Sequence, residues 1–101
     1  MITVTYDPHY SPAVPDGSTM MVAEHMVQQG NENPEHNLEF TTGTGLVIDA
    51  LRVLVVTGKF PPDQIQFMYK DQMMMVDENG RLDAWPHGFH DYTEKYLMQL
   101  L

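Results

Sequence analysis

The chain has 101 residues, enough for one small domain and too few for two, so residues 1–101 are expected to form a single unit. Fourteen acidic residues against five basic ones give a formal charge of −9, which disfavours nucleic-acid binding through phosphates and leaves docking onto a basic protein surface open. There is no cysteine, hence neither a disulfide framework nor thiolate chemistry, and no apolar run nears the ~18 residues of a membrane span.

In chain order, Ile2-Thr3-Val4-Thr5-Tyr6 is β-branched and aromatic and predicts a strand. DPHYSPAVPDGS, with Pro8, Pro12 and Pro15, is loop composition. Asp16 or Ser18 can then cap a helix running to about Gln29, in which Met20, Ala23, Met26 and Val27 recur at helical spacing. Gly30 is expected to stop it, and NENPEHN to connect to a short strand at Asn37–Thr41. After the small-residue turn TTGTG comes LVIDALRVLVVTGK, apolar on nearly every side. The Gly45 entry, the Asp49 and Arg52 pair at i, i+3, and the Gly58-Lys59 exit favour a buried helix over 44–57 rather than a strand. Pro61 and Pro62 cannot continue it.

Gln64–Tyr69 alternates polar and apolar residues, a third strand. Met73-Met74-Met75-Val76 predicts a fourth, followed by a tight turn at Glu78-Asn79-Gly80 and a returning extended segment. Asp91 and Glu94 form a capping box for a terminal helix whose apolar side is Tyr92, Tyr96, Leu97, Leu100 and Leu101. The order β-α-β-α-β-β-α predicts a small two- or three-layer α/β sandwich, its sheet mainly parallel with an antiparallel ribbon. A short parallel sheet exposes an edge, and a homodimer is one way to cover it.

Candidate chemistry is sparse. His87 and His90 are close in sequence but match no common zinc spacing. TTGTG lies between a strand and a helix, where phosphate-binding turns occur, yet it is neither GxxxxGK[ST] nor GxGxxG. Ser11 and Ser18 lack a nucleophile context. No cofactor or metal is expected. The nine methionines suit either core gaps or an adaptable contact surface. The densest cluster of contact-type residues is AWPHGFHDY. Trp85, His87, Phe89, Asp91 and Tyr92 are therefore the expected partner-binding residues, with one of Trp85 and Phe89 anchored in the core.

Two stretches carry a family resemblance over residues 37–101: LEFTTGTGLVIDALRVLVVTGKFPPDQIQFMY, then NGRLDAWPHGFHDYTEKYLMQLL. The Gly-Lys-hydrophobic-Pro step, the Gly-Arg-hydrophobic turn and the Trp-Pro-x-Gly-Phe step resemble the carboxyl-terminal part of predicted AAA/ABC-type ATPases of the OLD and SMC-like group. The resemblance implies a parallel α/β fold. Thr42 stands where the sensing histidine of that group would be, and Tyr6-Asp7-Pro8-His9 lacks its catalytic glutamate. The group's Lys/Ser nucleotide loop and signature helix would lie upstream of Met1. The chain thus resembles a detached, degenerate ATPase half, and no ATP hydrolysis is expected of it.

The function expected from this reading is non-catalytic protein binding that inhibits or scaffolds a complex, of the kind a phage or mobile-element anti-defence protein performs in the host cytoplasm. A virion or assembly component is one alternative. A small nucleotide-binding protein or enzyme using Asp7, His9 and TTGTG is the other.

Overall fold

The computed structural model describes residues 1–10, 15–84, 86 and 89. Strand β1 (Ile2–Tyr6) leads through a 3-10 turn at Asp16–Ser18 into helix α1 (Thr19–Glu32). Strand β2 (Leu38–Thr42), helix α2 (Gly45–Val56) and a short 3-10 turn at Pro62–Gln64 follow, then strands β3 (Ile65–Tyr69) and β4 (Gln72–Met75). The four strands form one sheet in the order β2-β1-β3-β4. The β1–β2 and β1–β3 pairs are parallel, and β3–β4 is an antiparallel hairpin. This is the mixed α/β sandwich with an antiparallel ribbon that the element order implies. The terminal helix expected at 91–101 lies outside the described residues.

The sheet's alternation sorts its side chains. Ile2, Val4, Ile65, Phe67 and Met74 point to one face and are fully buried. The opposite face carries Thr3, Thr5, Glu39, Thr41, Gln66, Met68, Met73 and Met75, all half-buried or exposed. Both helices pack against each other, and α1 reaches the buried face, where Gly30 lies against the Ile2 side chain. The described elements thus make two layers, helices on one side of the sheet.

α2 is the centre of the core. Val47, Ile48 and Leu51 are completely buried, and only Val53 and Val56 among its last turns keep partial exposure. Its entry is capped by Thr44, whose hydroxyl accepts the Leu46 N–H at 3.2 Å. Its exit is closed by Thr57, whose hydroxyl donates to the Val53 carbonyl at 2.9 Å, and by Gly58 at φ +75°.

Three expectations need correction. Gly30 does not stop α1, which continues to Glu32. A Cβ there would lie 2.6 Å from Ile2 Cδ1 and 3.1 Å from Phe60, so the glycine serves helix-to-sheet contact rather than termination. Ser18 occupies the cap position of α1 but makes no side-chain capping bond, because Asp16–Ser18 is wound into the preceding 3-10 turn. Met20, grouped with the apolar side of α1, is exposed; Ala23, Met26 and Val27 carry that face.

Candidate functional site

The carboxyl ends of β1 and β3 lie side by side, since Tyr6 and Tyr69 are register partners. Their rings stack with centroids 5.6 Å apart. Phe89 completes the cluster edge-on to Tyr6 at 5.6 Å and tilted to Tyr69 at 5.5 Å. It has no exposed surface, and its N–H donates to the Pro86 carbonyl at 3.0 Å. Burial, and secondarily the neighbouring Tyr69 hydroxyl, raises the Tyr6 pKa above the ordinary tyrosine value.

Beside this cluster is a cavity of about 380 Å³ lined by Thr5, Tyr6, Asp7, Pro8, His9, Tyr69 and Lys70. In open α/β sheets this end of the strands is where ligands bind. Lys70 sits in the two-residue turn between the paired Tyr69 and Gln72, at φ +55°, and its ammonium lies 5.4 Å from the Tyr69 ring centroid. The Asp7 carboxylate accepts the His9 N–H at 3.0 Å, so it shapes the loop that leaves β1. A cleft of about 480 Å³ between α1 and α2, lined by Glu24, Gln28, Glu32 and Lys59, is larger but lies away from the strand ends.

The TTGTG stretch proves to be a closed turn. The Thr42 hydroxyl accepts the Thr44 N–H at 3.2 Å and donates to the Thr44 carbonyl at 3.1 Å. The Leu46 N–H goes to the Thr44 hydroxyl and the Val47 N–H to the Thr44 carbonyl. Gly43 is pressed against the Tyr10 carbonyl, which a Cβ would meet at 2.6 Å. The Leu46 and Val47 amides of α2 therefore serve its own cap, and the loop after β1 crosses over the turn.

The stretch leading to Phe89 is held by a second device. Asp77 accepts the N–H groups of Asn79 and Arg81 on one carboxylate oxygen, both at 2.9 Å, which folds the Asn-Gly turn. Arg52, on α2 and only 1% exposed, donates its Nε to the Gly80 carbonyl at 2.6 Å. Gly80 has φ +79°, and a Cβ there would meet Val56 Cγ2 at 2.5 Å. The chain then returns along β4: the Asp83 N–H donates to the Met75 carbonyl and the Asp83 carboxylate accepts the Met75 N–H, each at 3.0 Å.

Of the five expected partner-binding residues, Phe89 alone is described, and its ring is used inside the fold rather than offered to a partner. Trp85, His87, Asp91 and Tyr92 lie outside the described residues. Asp7, His9 and the TTGTG turn are neighbours at one end of the sheet, as the nucleotide alternative requires, though with the bonds just given. Among the described residues no three His, Cys, Asp or Glu side chains converge as a metal set, and no helix is long and apolar enough to cross a membrane. Arg52 is the site residue that sequence reasoning missed; a charge on an apolar helix was the signal for it.

No curated protein and no solved structure matches this chain. A family model described as "Protein of unknown function (DUF3696)" matches residues 62–100, the stretch that contains β3, β4, the Gly80 turn and Phe89.

Proposed function

We propose that this chain is a non-catalytic protein-binding module, a degenerate piece of an AAA/ABC-type ATPase domain of the OLD and SMC-like group, that docks on a protein complex and inhibits or scaffolds it. The observation that carries the reading is the seat of Phe89. Its ring lies at the carboxyl ends of the parallel strands, against the Tyr6 and Tyr69 that line the Asp7, His9 and Lys70 cavity. An α/β fold presents its ligand at that end, so the segment anchored there through Phe89 is the part of the chain proposed to meet a partner, with Trp85, His87, Asp91 and Tyr92 as its contact residues. The match over residues 62–100 covers the same Gly-Arg-hydrophobic turn and Trp-Pro-x-Gly-Phe step on which the ATPase resemblance rests.

Lack of catalysis is supported by the bonding at the strand ends. Phosphoryl transfer needs amides that cradle phosphate and a group that orients water. Here the Leu46 and Val47 amides of α2 go to Thr44, and the Asp7 carboxylate accepts a backbone amide of its own loop. A small acidic chain of this type suits an inhibitor carried by a phage or mobile element and acting in the host cytoplasm.

The test joins two measurements. Affinity capture from the source cell or its host is run with the wild-type chain and with Trp85→Ala. The same proteins are melted with and without ATP and Mg²⁺. The expected result is a stoichiometric protein partner lost with Trp85→Ala at unchanged Tm, and no nucleotide-dependent shift. A ligand at about 100-fold over its Kd would stabilise the fold by ~2.7 kcal/mol. A clear upward shift with ATP, or turnover that follows the protein through gel filtration, would sink the reading.

A further inference from the structure

We infer that two copies of this chain join their sheets through β2, antiparallel, across a two-fold axis at Phe40. At the β4 edge, Met75 already exchanges both backbone groups with Asp83. At the other edge, the ladder to β1 is bracketed by Leu38 N–H to the Met1 carbonyl at 3.0 Å and Asp7 N–H to the Thr42 carbonyl at 2.9 Å. With the parallel register Ile2 to Leu38 through Tyr6 to Thr42, this alternation turns Leu38, Phe40 and Thr42 toward β1. It turns the N–H and C=O of Glu39 and Thr41 outward, and among the described residues no backbone bond reaches them. An open edge of this kind is a template for another strand.

A second copy satisfies that template in one register. With the dyad at Phe40, Glu39 lies opposite the partner's Thr41 and exchanges both backbone bonds with it. The symmetric pair does the same, so every outward group of β2 is bonded. Each Glu39 faces a threonine and not its own copy, which avoids like charges directly opposite. Leu38 pairs with the partner's Thr42. The two Phe40 rings meet as a non-hydrogen-bonded pair, where side chains come closest. Phe40 and Leu38 are half-exposed in the single chain, so both lose water contact in the pair. The contact is isologous and closes on itself, as a two-fold dimer must.

Two costs set its character. A five-residue edge is smaller than the ~800 Å² per partner of a standard interface. Each copy also carries a charge of −9. The dimer is therefore concentration-dependent, and salt strengthens it by screening the repulsion.

The chain has no cysteine, so single-cysteine variants read the register directly. Across the dyad the two Phe40 Cα atoms fall about 4.5 Å apart, within disulfide range. Phe40→Cys should oxidise to a covalent dimer, whereas Glu39→Cys, whose copies lie beyond the ~7 Å limit, should not. Thr41→Pro is the second arm. Its missing amide proton points away from β1, so the fold keeps its ladder while the edge loses a donor. Sedimentation of the wild type at low and high salt should show dimer fraction rising with salt, and Thr41→Pro should stay monomeric with native circular dichroism. A wild-type chain that stays monomeric at every concentration and salt would overturn the inference. So would cross-linking at Glu39→Cys equal to that at Phe40→Cys, or a Thr41→Pro dimer as strong as the wild type. This outcome is independent of capture of a heterologous partner through Trp85.

Discussion

Gly80 shows how much one residue can be asked to do. Its backbone is left-handed, its carbonyl takes the Arg52 guanidinium, and its missing Cβ leaves room for Val56. Gly58 is also left-handed, at φ +75°, but nothing lies within 4 Å of a Cβ built there. The pair separates conformational strain from contact. Gly58→Ala should cost about 1–2 kcal/mol, the usual left-handed penalty. Gly80→Ala should cost more, because the added methyl also drives the turn off α2; urea midpoints compare the two directly. The Asn-Gly dipeptide made the turn readable from sequence. The Arg52 bond is not readable from sequence, because its acceptor, the Gly80 carbonyl, comes from a turn far along the chain that only the fold brings to α2. Tyr6 gives a second test at this scale. Its pKa is raised in the fold, so its contribution is fully present below the unfolded value near 10 and is lost as pH rises through the folded value. Stability should fall at alkaline pH, and Tyr6→Phe should flatten that fall in base-titrated melts.

Among the elements, α2 was the most legible, because its apolar residues and its punctuation agree. Gly45 and Thr44 open it, Gly58 closes it, and the prolines after Phe60 forbid continuation. The end of α1 departs from its sequence pattern for a physical reason. A glycine late in a helical pattern usually terminates, but Gly30 is kept for the close approach of Ile2 and Phe60, a tertiary demand that local pattern does not contain. β2 begins and ends one residue later than its sequence pattern predicts. Thr42 belongs to it because its carbonyl still accepts the Asp7 N–H. The central position of α2 sets the prediction at this scale. Leu51 has no exposed surface, so Leu51→Asp places a carboxylate in the core at a cost of several kcal/mol. That approaches the whole stability of a domain this size, about 5–15 kcal/mol. The variant should be insoluble or lack a cooperative melt, and a folded, cooperatively melting Leu51→Asp protein would remove α2 from the centre of the core.

For the molecule as a whole, the layered α/β plan was legible because strand and helix periods alternate along the chain. The location of the candidate site was not. No spacing in the sequence reveals that Tyr6, Tyr69 and Phe89, separated by most of the chain, meet at one end of the sheet. That meeting joins the first strand to the last described residue, so it ties the stretch matched over 62–100 to the part before it. Removing the Phe89 ring should therefore act globally. Phe89→Ala should cost about 3–5 kcal/mol, the range for a buried aromatic truncated to alanine, and lower the urea midpoint in a single transition. If residues beyond Ala84 were an appendage, the same variant would leave the main transition in place and change only a minor early phase. The comparison with Trp85→Ala then divides structure from recognition. Loss of fold at Phe89 together with loss of capture alone at Trp85 is the pattern of a residue that seats the segment beside one that uses it.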